Sequence, residues 1–238
     1  MGRDFNGTSD QAETGSTPVT ATPVTIACWF NADAFPAFSS ALCGVSNGVN
    51  SRVTLAFRAT GALRAQAGQN DGAAASAQTT NTVSTGVWAH AAGVFASDSS
   101  RIAYLDGTAS TENTTALVPA AFDRITAGFG YIESGSDRSD AKVAEVAVWN
   151  VALTAAEIAA LAKGFSPWLV RPQSLRFYAP MIGRYSPEID IIGARGLTLT
   201  GTAVADHPRV FQPARLVALD KFVVAAGRIH KLGLLGVS

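Results

Sequence analysis

Charge is scarce in this sequence. Asp, Glu, Lys and Arg make up 15% of its 238 residues, and eighteen acids balance eighteen Lys and Arg. No basic stripe stands out, so no nucleic-acid partner is expected. No apolar run approaches the ~20 residues a membrane helix needs, so no membrane partner is expected. Nor is there a charged-then-apolar leader, and export by a signal peptide is not expected. Cysteine is down to two residues, Cys28 and Cys43, and histidine to three, His90, His207 and His230. No Cys-x-x-Cys pair occurs and no histidine is close in sequence, which argues against metal ligation by the cysteines. Phosphate-cradling loops are missing too: there is no Gly-x-x-x-x-Gly-Lys-Ser/Thr, and no Gly-x-Gly-x-x-Gly after a strand.

What remains is apolar and small. Hydrophobic residues reach 47%, enough for a large core, and the surface is left to Ala, Ser, Thr and Gly. Such a surface suits burial in an assembly better than life as a free monomer. Short runs alternate between apolar and polar residues and are separated by turn signals. In 52–58, Val53, Leu55 and Phe57 share one side, Thr60-Gly61 turns the chain, and 62–67 returns as a partner strand. Strands are also predicted at 24–31, 41–45, 88–95, 101–105, 125–131, 175–178 and 197–200. An edge strand at 79–83 follows a Gly- and Ala-rich loop at 69–77, and 133–140 reads as a polar loop. Many short strands at close spacing argue for a sandwich. A turn centred near Pro36 would make 24–31 and 41–45 a hairpin, with Cys28 almost opposite Cys43. Two buried thiols are expected, with a disulfide as the alternative.

The organising stretch is 140–160. Val143, Val146, Val148 and Trp149 form a strand. After Asn150 breaks the run, Thr154 reads as the N-cap of a short helix, with Glu157 completing a capping box, Leu153 stapling onto Ile158, and Gly164 ending the helix. This pattern resembles the closing strand and helix of laminin-G-like, concanavalin A-like jelly rolls. Phe5-Asn6-Gly7-Thr8-Ser9-Asp10 resembles that family's opening turn, and Val24-Thr25-Ile26-Ala27-Cys28-Trp29-Phe30-Asn31 its second strand. Trp88-Ala89-His90, followed by Tyr104-Leu105-Asp106-Gly107, resembles its Trp-x-His strand and Tyr-x-Asp-Gly hairpin. The resemblance covers residues 5–165. It implies an all-β antiparallel sandwich with one short helix near 154–163. One jelly-roll domain over 1–213 is expected, its core at 5–165 and a Pro-punctuated completion at 166–213. An apolar arm follows at 214–238.

The fold serves binding, enzymatic and structural roles alike, so function must come from residues. Glucan hydrolases on such jelly rolls use Glu-x-Asp-x-x-Glu, a spacing that Glu133, Asp137, Asp140 and Glu145 do not give. Glu145 reads as a structural position bonded to a neighbouring turn. His90 is a strand residue, and His207 before Pro208 reads as turn chemistry. No catalytic residue, metal ligand or cofactor is assigned. Ca2+ is the one ion to weigh, because some laminin-G-like domains bind it at the rim. The loop acids Asp71, Asp98, Asp106, Asp137 and Asp140 are scattered, and turn capping accounts for each. Trp29, Trp88 and Trp149 fall in strands and are expected in the core. That leaves Trp168, in the connector, as the candidate glycan contact.

The arm carries Leu216, Leu219, Phe222, Val223, Ile229 and Leu232, the candidate attachment residues. Exposed apolar surface costs about 25 cal/mol per Å² relative to burial, so the arm either folds back on its own domain or docks on another subunit. Free-standing jelly rolls of this look resemble those among bacteriophage virion proteins. The expectation is a non-enzymatic capsid decoration or virion-surface protein, assembled in the host cytoplasm and located in the virion. It would be a homo-oligomer contacting virion proteins such as the major capsid protein. The alternative is a lectin-like module that attaches to a glycan.

Overall fold

A computed structural model describes residues 2–48, 50–69, 73–131, 136–183 and 186–211. The expected arm, with Leu216, Leu219, Phe222, Val223, Ile229 and Leu232, lies outside the described residues. So do His230 and Asp71.

The chain begins with β1 (Gly2–Asn6), β2 (Gln11–Glu13), β3 (Val24–Ala32) and β4 (Ser39–Ser46). Next come β5 (Ser51–Arg58), β6 (Ala62–Gln69), β7 (Ala73–Thr82), β8 (Trp88–Ser97), β9 (Ser100–Leu105) and β10 (Thr108–Ala109). Then follow β11 (Arg124–Ala127), β12 (Phe129–Tyr131), β13 (Ser136–Arg138), β14 (Asp140–Trp149) and the helix α1 (Ala155–Ala162). Last are β15 (Leu175–Ala179), β16 (Glu188–Ile189), β17 (Gly196–Thr200) and β18 (Ala203–Ala205).

Two antiparallel sheets stack as a sandwich. The first runs β10-β9-β8-β3-β14-β1-β18, with β15 also on β14; the second runs β16-β17-β2-β11-β4-β5-β6-β7. Alternation explains the layers. Val53, Leu55 and Phe57 of β5 and Leu63, Ala65 and Ala67 of β6 all face the shared core, as a period of two requires. Phe30 of the first sheet stacks on Phe57 of the second, centroids 5.8 Å apart. The outer face of the first sheet is covered by α1. There Trp149, Tyr178, Ala27 and Ala92 meet Ile158 and Leu161. Thr154 and Glu157 form the expected capping box, a device worth about 1 kcal/mol. Arg171 adds two bonds to Glu157, of 2.7 and 2.8 Å, tying the connector to the helix.

Several strands differ from expectation. Within the loop expected at 69–77, Gln69 ends β6 and residues 73–77 open β7, which runs to Thr82 and buries Ala75 and Ala77. Alanine has weak strand preference, so only pairing with β6 reveals it. The strand expected at 125–131 breaks at Gly128 (φ +72), where a Cβ would sit 2.0 Å from the Phe5 ring. The loop expected at 133–140 contains β13, which pairs with β12. That hairpin lies on the outer face of the second sheet, with Gly130 against Ala41 and Thr54.

The hairpin expected around Pro36 is a crossing between sheets: β3 pairs with β14 and β8, whereas β4 pairs with β5 and β11. Cys28 and Cys43 meet all the same, across the core. Both thiols are free and buried, and they are hydrogen-bonded to one another.

Candidate functional site

The site grows from a defect in β14. Its first half pairs with β1 through Ala141 and Val143, and its second half pairs with β15 from Val146 to Trp149. Between them the register against β3 slips: Ala144 faces Trp29, but Ala147 faces Ala27. One extra residue is a β-bulge, and it keeps Val143 and Val146 on the core side despite their odd spacing. Glu145 is that residue, held at φ +58, an uncommon conformation for a side chain with a Cβ. Its N–H leaves the ladder and donates to Pro180 O at 3.3 Å.

The bulge turns the Glu145 side chain to the outer face, where it is 2% exposed. The Tyr178 hydroxyl donates to Oε2 at 2.6 Å. Ser166 Oγ lies 3.2 Å from Tyr178 Oη and accepts from Trp168 N at 3.4 Å. Since the Tyr178 proton goes to Glu145, Ser166 donates to Tyr178. A polar chain thus runs from the connector into the bulge, and the sequence reading of Glu145 as bonded to a turn is corrected: its partner is the next strand.

His207 closes the other side. Its Nδ1 is 2.7 Å from Pro208 O and its Nε2 is 3.3 Å from Pro180 O. Nε2 also lies 3.0 Å from Glu145 Oε1, yet Oε1 has no hydrogen bond of acceptable angle. The angle decides the matter, since a bond needs alignment as well as distance. Oε1 is buried with the His207 ring beside it. His207 is therefore part of a site rather than of a turn alone.

Over this floor lies an open groove of about 540 Å³, lined by Glu145, Tyr178, Pro180, Ile182, Ile191 and residues 207–210. Ile191 is fixed by its N–H to Tyr178 O, 2.9 Å. Ile182 and Ile191 are about half exposed. Beside the groove the chain passes to Phe211, whose N–H donates to Gly164 O while its O accepts from Ser166 N. Phe165 and Phe211 rings sit 6.1 Å apart. Both are exposed, as are Trp168 and Leu169 in the connector.

The sequence placed Trp168 correctly in the open, at 38% exposure. Trp149 is buried as expected, its Nε1–H on Val170 O at 2.9 Å. Trp29 and Trp88 are instead partly exposed on the outer face of the first sheet, beyond the reach of α1. Asp106 accepts from His90 N and Asp98 from Thr22 Oγ1. Among the described residues no three of His, Cys, Asp and Glu converge as a metal site would require.

Chemically the floor offers acceptors and a hydroxyl relay. Ser166 leans on Tyr178, with no hydrogen bond to His207. The nearby buried carboxyl of Asp190 accepts from the N–H groups of Tyr178, Ile192 and Gly193. Residues 44–48 spell Gly-x-Ser-x-Gly, the pattern of a nucleophile elbow, but Ser46 ends β4 and strand β5 follows, so no strand-to-helix elbow presents it.

Solved structures agree on the architecture. A candidate carbohydrate-binding protein from Bacteroides ovatus superposes with a TM-score of 0.64 and 16% identity, covering 89% of this chain and 62% of that one. This chain thus spans less than two thirds of that protein. A heptameric SAP-like pentraxin from Limulus polyphemus superposes with a TM-score of 0.55 and 16% identity, covering 68% of this chain and 81% of that one. At such identity the likeness is one of fold. No curated protein matches the sequence. Residues 6–159 match a laminin G family described as the concanavalin A-like lectin/glucanases superfamily, and with more than half its length matched the chain belongs to that family.

Proposed function

We propose that this chain is a non-enzymatic attachment protein of a virion, a capsid decoration or surface component that docks on neighbouring subunits. The observation that carries this reading is the set of exposed apolar side chains Phe165, Trp168, Leu169 and Phe211, with Ile182 and Ile191 exposed in the groove that residues 207–210 also line. Clustered exposed apolar surface marks an interaction face. Residues 214–238, which follow Phe211 closely, are rich in Leu, Val and Ile. Glu145 stands without a second free carboxyl or a base-activated nucleophile among the described residues, which supports a binding role over hydrolysis. The partners proposed are other virion proteins, such as the major capsid protein.

The test keeps the whole chain and replaces Leu216, Leu219 and Phe222 by Asp together. The protein should fold unchanged but disappear from purified particles. Normal occupancy of the particles would reject the reading.

One observation favours a second reading, a glycan-binding module. Trp168 is exposed and its backbone N–H is held by Ser166 Oγ, as a stacking platform for a sugar ring would be. Retention on a broad glycan array, lost on Trp168→Ala with the melting temperature unchanged, would establish it.

A further inference from the structure

We propose that this protein pairs with a second copy of itself through the free edge of β7. Residues 73–78 of the two copies run antiparallel across a two-fold axis, so that the second sheet continues from one copy into the other. The proposal stands apart from the attachment reading.

A strand at the end of a sheet carries a row of unpaired N–H and C=O groups, and that row is a template for another strand. Among the described residues the two sheets end on β10, β18, β16 and β7. Three of these are too short to serve: β10 and β16 have two residues each and β18 has three. β15 has five, but its outer side is occupied. There the Tyr178 N–H donates to Asp190 Oδ1, and Tyr178 O accepts from the Ile191 N–H. β7 has ten. It pairs with β6 on one side, and no described strand lies on the other.

The sequence of β7 lacks the groups that keep edges apart. Natural edges are blunted by charged side chains, above all Lys, and by Pro. No Asp, Glu, Lys, Arg or Pro occurs from 72 to 97. One protective device is present and sets the limit of the contact. Pairing with β6 is regular from Ala73 to Gln78 and then slips, and the Thr79 hydroxyl takes the Leu63 N–H. The bulge leaves 73–78, about 20 Å of strand. Ala75 and Ala77 point into the core, and Ala73, Ala74 and Gln78 are exposed. None of these is bulky enough to hold a second strand away.

Two features select a second copy as the occupant. Like charges placed opposite one another destabilise a strand pair, and an uncharged strand meets itself without that penalty. The described chain also has a single long free edge, so the same edge must serve on both sides. Antiparallel pairing about a two-fold axis meets this condition, because each strand returns its outward N–H and C=O groups to the other. Pairing then uses the edge on both copies, and assembly through it stops at two. The contact is short and its side chains are small, so association belongs in the micromolar range.

The experiment is sedimentation velocity on the full chain between about 1 and about 100 µM, which brackets that range. The parent should pass from monomer to dimer mass. Hydrogen exchange at the two concentrations should show amides within 73–78 protected only where dimer forms. Ala74→Lys with Gln78→Lys charges the edge and should weaken dimerisation about tenfold or more, with the circular dichroism unchanged. Ala74→Thr with Gln78→Thr, uncharged at the same positions, should dimerise as the parent does. A parent that stays monomeric, a dimer unmoved by the lysines, or an equal loss in the threonine control overturns the proposal. So does protection of 73–78 in a monomer at every concentration, which would put the chain's own residues beyond 211 on the edge. The Leu216, Leu219 and Phe222 variant should still dimerise, so this inference and the attachment reading fail separately. Loss of its dimer would move the interface away from β7 and overturn this inference alone.

Discussion

The Tyr178 hydroxyl donates to Glu145 Oε2 at 2.6 Å, at the place where β14 exchanges β1 for β15 as its partner. This bond holds a buried carboxyl group in a bulged, left-handed backbone. Tyr178→Phe removes the donor and strands Oε2 beside Oε1. We expect a loss of about 1–3 kcal/mol, seen as a lower urea midpoint with an unchanged slope.

The same bulge separates two substitutions at one position. Glu145→Ala and Glu145→Gly delete the same carboxyl group, but only glycine adopts φ +58 freely. The glycine variant should be the more stable of the two by about 1 kcal/mol, read from paired denaturation curves. Equal stability would show that the bulge carries no backbone strain.

Burial pushes the His90 pKa down to about 3. The ring packs edge-on against Trp29, centroids 5.5 Å apart, and its Nδ1 has no hydrogen bond. The unfolded chain takes up the proton near pH 6.5, and the folded protein does so only near pH 3. Stability from this group is therefore complete above about pH 6.5 and falls as pH drops towards 3. The slope is at most about 1.4 kcal/mol per pH unit. His90→Phe should flatten that part of the stability–pH curve relative to the parent.

Gly128 sets the corner between β11 and β12. A methyl group there would lie 2.0 Å from Phe5 Cδ1, at φ +72. Gly128→Ala should cost about 3 kcal/mol or more. Adding Phe5→Ala should cost less than the sum of the two single changes, because the clash is shared. Strict additivity would place the strain elsewhere.

The hydrogen bond from Cys43, together with burial, pushes the Cys28 thiol well above its usual pKa. The thiolate is the reactive form. Iodoacetamide at pH 8 should leave both cysteines unlabelled in the native protein and modify both in denaturant. Fast native labelling of either would contradict the core contact.

Local chemistry was legible in the sequence because its causes are local. Thr154 and Glu157 lie three residues apart, and the capping box they imply is present. The period-two pattern of Val53, Leu55 and Phe57 gave the β5–β6 hairpin, and Gly61 its turn at φ +80. Four family-like stretches in order gave the sandwich. Long-range choices were not legible. That β3 and β4 belong to different sheets follows from which edges their neighbours leave free. No property of the residues 32–39 between them decides it.

The site divides along the same line. The sequence determined that Trp168 would be exposed, since a Pro-punctuated connector offers no strand to bury it. It could not place Glu145, Tyr178 and His207 together. A carboxyl group in an apparent strand reads as ordinary until its neighbours are known, and these three come from three separate segments. Only the sandwich, by running β15 along the second half of β14 and bringing residues 207–210 back across the seam, turned a bulge into the floor of a groove. Pattern along a chain records which face each residue prefers. Which faces meet is settled by how the sheets close on one core.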